Sequence, residues 1–159
     1  MSLIRWTAPV LALAALAACA PKGHWQEYAY PAQGFAVSFS VAPKTSTTSG
    51  VFVTEATNGV DDYLVAAVCA KDPTKNDDEL LSEAEDTWRH QGTVKSETYV
   101  ATGKIIGREL IVEKTGQPTG KVRLFIAKQC AYQVIAASHH GPDDPVVAHF
   151  LDSFRLLGG

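Results

Sequence analysis

The sequence predicts an α+β fold in which a twisted antiparallel sheet of about six or seven strands is flanked by two helices. Segments in which apolar and polar residues alternate recur along the chain, as they do in half-buried strands. Two other segments carry apolar residues at the three- and four-residue spacing of an amphipathic helix. The later strands are joined by only a few residues, and connections this short join antiparallel neighbours because parallel neighbours need a longer crossover.

The length, composition and net charge of the chain exclude several classes of protein. The chain has 159 residues, of which 46% are apolar and 19% are charged, and its net charge is −3. This length indicates one domain, and the apolar content excludes intrinsic disorder. No apolar run reaches the roughly 18 to 20 residues of a membrane-spanning helix. Because nucleic-acid-binding proteins present a basic face, we expect no nucleic-acid partner for this acidic chain.

The first predicted strand begins after Gly34, where Phe35, Val37 and Phe39 alternate with small or polar residues, and Pro43 ends it. Further strands are predicted at 49–57, 63–69, 93–101, 104–114, 121–128 and 131–138. The last two of these strands are apolar on both faces. The sheet therefore needs a cover on each side, either from helices or from a helix on one side and loops on the other.

The first predicted helix lies within 73–92, and its apolar stripe ends at Trp88. Acidic residues fill its first turn, where they stabilise the positive end of the helix dipole. Asn76 or Thr74 can cap its start, and Gly92 stands where a C-cap glycine is found.

The second predicted helix begins with Asp144 as N-cap and Pro145 at the first helical position, a pairing that favours helix initiation. Its apolar residues then recur at spacings of three, four and seven, so we expect it to pack on the sheet. The large side chains predicted for the core are Trp88, Phe125, Phe150 and Phe154.

Residues 1–18 have the features of a signal peptide. Arg5 supplies one positive charge, and the apolar stretch at 8–18 has the length of a signal h-region. The stretch ends in Leu16-Ala17-Ala18-Cys19, which resembles the lipobox of bacterial lipoproteins. This resemblance implies cleavage before Cys19 and acylation of its thiol and its new amino group. The alternative is an ordinary secretory signal followed by a chance cysteine.

The lipobox implies a location as well as a modification. Ala20 follows the cysteine, and in Gram-negative lipoproteins a residue other than Asp there usually permits transfer to the outer membrane. We therefore expect a lipid-anchored protein of the bacterial cell envelope, on the outer membrane and facing the periplasm if the source is Gram-negative. Residues 19–31 are predicted to form the anchor and a short tether, and 32–159 a single domain.

Cys69 and Cys130 remain as an even pair in the oxidising compartment that an export signal implies. Each lies at the end of a predicted strand, so the fold can bring the two together as a disulfide. The alternative is two separate buried thiols. The sequence has no C-x-x-C motif, which argues against redox catalysis.

His139 and His140 open a cluster of potential metal ligands that ends at Asp144. Adjacent residues of an extended segment point to opposite sides, so both histidines can bind one ion only across a tight turn. The other interpretation is a solvent-exposed loop whose Asp144 caps the second helix. We expect no metal and no cofactor, and these two histidines are the weak candidates.

Several aromatic and turn residues resemble those of a known superfamily. Trp25, Tyr28, Tyr30-Pro31 and Gly34-Phe35 are similar to the opening strand of the PsbP-like superfamily, and 150–156 is similar to its final helix. Tyr132 stands where those proteins carry an aromatic residue. The superfamily includes the PsbP subunit of photosystem II and DcrB-type bacterial envelope lipoproteins. The resemblance implies a PsbP-like α+β domain that binds or assembles other proteins, with no catalytic residues to carry over.

These observations lead to a functional expectation. The sequence holds no nucleophile elbow and no phosphate-binding loop, so we expect no enzymatic activity. We expect an envelope lipoprotein that binds a partner protein, and the alternative is a carrier of a small ligand or a metal. Trp25, Tyr28 and Tyr30 either form a recognition patch or hold the N-terminal segment onto the sheet.

Overall fold

The computed structural model describes residues 23–69 and 74–158, which form ten strands and two helices. In chain order they are β1 (Gln26–Tyr30), β2 (Phe35–Phe39), β3 (Lys44–Thr48), β4 (Val51–Thr57), β5 (Asp61–Cys69), α1 (Asp77–Gln91), β6 (Thr93–Thr102), β7 (Ile105–Glu113), β8 (Gly120–Ala127), β9 (Cys130–Ser138), α2 (Pro145–Ser153) and β10 (Arg155–Leu156). The predicted signal peptide and Cys19 lie outside the described residues.

The strands form two antiparallel sheets. The large sheet has seven strands in the order β3-β4-β5-β9-β8-β7-β6, and the small sheet has the order β1-β2-β10. Every pair of neighbours is antiparallel. The prediction of an α+β fold with a six- or seven-stranded antiparallel sheet and two helices is confirmed, and the small sheet is an addition to it.

Each face of the large sheet packs against its own cover. On the α2 face, helix α2 and strand β2 bury side chains of the central strands, among them Val65 and Phe125. On the α1 face, Trp88 packs with Val122 and Leu124 of β8. Because successive strand residues point to opposite faces, β8 contributes to both cores. The expected cover on both sides is confirmed for the central strands β8 and β9.

Helix α1 begins with a capping box. Asn76 Oδ1 accepts a hydrogen bond from the Glu79 amide, and Glu79 Oε2 accepts one from the Asn76 amide, each at 3.0 Å. The helix ends at Gly92, which has extended backbone with φ of −169°. A Cβ atom at Gly92 would lie 2.8 Å from the carbonyl oxygen of Glu113, so a close approach requires this glycine.

Helix α2 begins as the sequence predicts. Asp144 Oδ1 accepts a hydrogen bond from the Val146 amide at 3.0 Å, and Pro145 occupies the first helical position. Phe154, which follows the helix, stacks on Phe125 with ring centroids 5.6 Å apart. The four side chains predicted for the core are all buried.

The predicted tether at 19–31 is wrong from Gln26 onward. Residues Gln26–Tyr30 form β1, which pairs with β2 along its whole length. Strand β2 is buried on both faces, so it needs a hydrogen-bonded partner that solvent cannot replace. Trp25, Tyr28 and Tyr30 pack against the core on the α2 face. Of the two interpretations of these aromatics, the packing one is confirmed.

The sequence pattern does not predict strand β3 either. Its sequence Lys44–Thr48 has no apolar alternation, and all five of its residues are exposed. It lies at the edge of the large sheet and pairs only with β4. An edge strand of this kind buries nothing, so hydrophobic periodicity cannot reveal it.

We expect Phe150→Ala to lower the free energy of unfolding by about 3 to 5 kcal/mol, because the ring is fully buried and its removal leaves a cavity. Chemical denaturation of the mature domain measures the change. Ile106→Ala is the matched control, since Ile106 is 65% exposed and should change stability by less than about 0.5 kcal/mol. A loss below about 1 kcal/mol for Phe150→Ala would contradict the assignment of α2 to the core.

Candidate functional site

In the part of the chain that the structure describes, the candidate metal ligands His139 and His140 do not come together with further metal-binding side chains. His139 and His140 are exposed and occupy the turn between β9 and α2. His149 packs against Trp25 at a ring-centroid distance of 4.4 Å, and His90 bonds to the Asp86 carbonyl within α1. Among residues 23–69 and 74–158, no three histidine, cysteine or acidic side chains come together as a metal site would require.

The two cysteines face each other on neighbouring strands. Cys69 ends β5 and Cys130 begins β9, and the two residues are directly opposite in the strand register. Their sulfur atoms are bonded, which closes a loop across 61 positions of sequence. The bond joins the two strands at the same end as the turn between β8 and β9.

Among residues 23–69 and 74–158, no helix covers one part of the α1 face. Helix α1 packs on β6, β8 and β9, while the side chains that β4 and β5 direct to this face are exposed or half-buried. We call this part the open face. On it, Val53 lies opposite Ala66, and Val51 lies opposite Val68. The result is an apolar strip beside α1 that the described chain leaves accessible.

The open face ends in a groove of about 600 Å³. Its floor includes Leu64 and Ile135, which are directly opposite each other on β5 and β9. Pro118, in the connection between β7 and β8, forms part of one wall, and Lys44 of the edge strand also lines it. The groove thus combines an apolar floor with charged and polar side chains at its rim.

Two carboxylates and the Lys44 ammonium group give the groove a net charge of −1. Glu55 and Asp62 both line it, and both are exposed. Lys44 lies opposite Glu55 in the register, but their charged groups form no ion pair. Within the described ranges, neither carboxylate has a hydrogen-bond or ion-pair partner. The groove is therefore suited to an apolar group that carries a positive charge.

A buried polar cluster lies at the same end of the sheet. The Tyr63 hydroxyl faces Ser40 and Asp61 without closing a direct hydrogen bond to either. Burial raises the pKa of the Tyr63 hydroxyl to about 12; the Ser40 hydroxyl opposes the shift, and the carboxylates of Asp61 and Asp144 add to it. The Trp25 ring packs edge-on against Tyr63 at 5.6 Å. The cluster keeps a neutral phenol beside a buried carboxylate and fixes the start of the N-terminal strand.

Sequence reasoning missed the groove. The alternation of side chains between the two faces of a strand assigns Glu55 of β4 and Leu64 of β5 to one face of the sheet. The path of α1 decides which strands stay uncovered, and no local pattern encodes that path.

We expect the double variant Cys69→Ser/Cys130→Ser to keep the fold but to unfold more easily, by up to about 4 kcal/mol, because the bond restrains the unfolded chain. Thermal and chemical denaturation measure the loss, and circular dichroism checks the fold. Thiol titration of the denatured, unreduced protein is the direct test. Two free thiols per chain from an oxidising envelope would contradict the disulfide.

We expect stability to fall between about pH 10 and pH 12. Tyrosine in the unfolded chain loses its proton near pH 10, whereas Tyr63 in the folded protein keeps it to about pH 12. Over this range the folded state binds more protons, so the free energy of unfolding decreases as pH rises. Burial also raises the pKa of Tyr30 and Tyr132 and adds to the decrease.

Tyr63→Phe removes the largest part of this dependence. At pH 7 to 9 the free energies of unfolding of the two proteins should differ by a constant amount, and above pH 10 the native protein should lose stability relative to the variant. Denaturation at each pH gives both curves. Parallel curves across pH 10 to 12 would show that the Tyr63 phenol does not cause the effect.

Comparison with known proteins bears on the fold. No family model and no curated protein matches the chain. Among solved structures, the chain is similar to the solution structure of cyanobacterial PsbP (CyanoP) from Synechocystis sp. PCC 6803, with a TM-score of 0.54 and 10% sequence identity. The match covers 89% of this chain and 98% of that one. The chain therefore has a PsbP-like fold.

Proposed function

We propose that this chain is a non-catalytic lipoprotein of the bacterial cell envelope that binds a partner protein through the open face. The observation that carries the binding part is the uncovered apolar strip of β4 and β5, which leads into a groove with two unpaired carboxylates. Accessible apolar surface rimmed by polar groups is typical of protein interaction sites. The lipobox at Cys19 supports the anchor, and the absence of catalytic motifs from the sequence supports a binding role.

The proposed membrane anchor lies in the N-terminal sequence, at Cys19. Among the described residues, neither helix has the length and apolar character that crossing a bilayer demands. A diacylglyceryl group together with a third acyl chain would hold the mature protein at the membrane, since stable anchoring needs more than one chain. Ala20 after the cysteine supports the outer membrane as the destination in a Gram-negative cell.

A second candidate function is a carrier for a small ligand. The volume of the groove, about 600 Å³, lies within the range of small-molecule sites, roughly 300 to 1,000 Å³. A carrier should retain its ligand through gentle purification, and native mass spectrometry would then find a constant added mass. Protein without such a mass would favour the partner-binding function.

We expect Cys19→Ala to abolish lipidation and processing. In the native protein, mass spectrometry of the membrane fraction should find an acylated cysteine as the first residue of the mature chain. The variant should keep its signal peptide, because cleavage at a lipobox follows acylation. An unmodified native chain that is cut elsewhere would contradict the anchor.

We expect Leu64→Asp to abolish capture of the partner from solubilised envelopes, because it places a charge on the apolar floor of the groove. Ile106→Asp is the matched control, since Ile106 is also apolar, lies on β7 and is 65% exposed. Affinity capture with the native protein and both variants measures the difference. Equal capture by the native protein and Leu64→Asp would contradict binding at the open face.

A further inference from the structure

We infer that the open face binds an amphipathic α-helix of the partner protein, with the apolar stripe of that helix on the strip of β4 and β5 and a lysine or arginine beside Glu55 and Asp62. The inference rests on the proposed binding function and names the chemistry of the partner. It is carried by the dimensions of the uncovered surface, by its apolar composition and by its unpaired charge.

The uncovered surface has the dimensions of a helix. Strands lie about 4.8 Å apart, so the open face together with the polar edge strand β3 is roughly 10 Å wide, which is the diameter of a helix with its side chains. Strand β4 has seven residues and is about 23 Å long, the length of a helix of roughly 15 residues. Helix α1, which covers the neighbouring strands, has 15 residues.

The composition of the surface changes along its length. Towards the Cys69 end, Val51 and Val53 lie beside Ala66 and Val68, and these side chains suit an apolar stripe. Towards the other end, the carboxylates of Glu55 and Asp62 are exposed and unpaired. A helix with apolar residues on one side and a basic residue near one end is complementary to both parts.

Other occupants fit this surface less well. The exposed side of α1 is acidic over its first three turns, with Glu79, Glu83 and Asp86 all exposed, so in a second copy it would bring like charges to Glu55. Helix α2 uses its apolar residues in the core of its own chain. An anionic lipid headgroup would be repelled by the two carboxylates.

Photo-crosslinking of the full-length protein in its own envelope tests the inference. A photoreactive phenylalanine derivative replaces Leu64 in one protein and Val68 in another, and Ile106 in the control. Leu64 and Val68 are four residues apart on β5, about 13 Å, and point to the same face. On a helix this distance corresponds to about nine residues, but on an extended segment to about four.

The expected result is that both positions crosslink one partner protein, at sites about nine residues apart, with a lysine or arginine within a turn of the site reached from Leu64. Glu55→Lys/Asp62→Lys should lower the yield by roughly an order of magnitude, and high salt should lower it too. Denaturation of this variant beforehand confirms that it folds.

Several results would overturn the inference: sites about four residues apart on the partner, crosslinks to the protein's own chain or to lipid, and yields no higher than at Ile106. The Cys19 adduct is assayed in the same cells. An acylated protein without groove crosslinks refutes the helix site alone. A mapped helix on a protein that lacks the adduct refutes the lipid anchor and leaves the helix site in place.

Discussion

The structure depends on two strands that are apolar on both faces. In β8, the successive residues Leu124 and Phe125 are both buried, whereas in β9 one face is buried and the other, which includes Ile135, is half-buried. Among the described elements, α2 and the small sheet pack on one face of the large sheet, and α1 alone packs on the other. Burial of these side chains, at roughly 25 cal/mol per Å² of apolar surface, is the main force that joins the layers.

The open face results from this difference in the elements that pack on the two faces of the sheet. Seven strands at about 4.8 Å spacing span roughly 29 Å, whereas one helix covers about 10 Å. Helix α1 lies over β8, next to the central strand β9, and Trp88 fixes it there by packing on β8 and donating a hydrogen bond to Gln133 of β9 at 3.2 Å. Strands β4 and β5 carry small and medium apolar residues together with Glu55 and Asp62 on that face, and no other described element covers them. A surface available to a partner is thus a consequence of sheet width.

Much of the fold could be predicted from the sequence because its strongest signals are periodic. Period-two segments located the strands that bury a face, and the Asp144-Pro145 pair located the start of α2. The failures concern elements without such a signal. Strand β3 is polar throughout, and in β1 only Tyr28 and Tyr30 are partly buried. Hydrogen bonds to neighbouring strands stabilise both. The residue pattern within one segment does not reveal these bonds.

The candidate site could be predicted only in part. Parity of cysteines indicated the pairing of Cys69 with Cys130, because it depends on a count and not on geometry. The groove has no such signal, since Glu55 and Asp62 become neighbours only through the register of β4 with β5. Their exposure depends further on where α1 packs. The charged groove depends on β4, β5 and α1 together, so the sequence pattern of any one of these elements does not reveal it.

The position of the N-terminal segment connects the groove to the proposed anchor. A Cβ atom at Gly23 would lie 3.6 Å from Trp25 Nε1 and 4.0 Å from Ser40 Cβ, so the described chain begins beside the loop that leads to Lys44 at the groove. The C-terminal end lies at the opposite end of the sheet, where Lys128 Nζ donates a hydrogen bond to the Gly158 carbonyl at 3.0 Å. Gly23 is four positions after Cys19 in the sequence, a reach of at most about 14 Å. A lipid on Cys19 would therefore keep the groove end of the domain close to the membrane, whereas the disulfide lies at the other end of β5, about 30 Å along the nine residues of that strand.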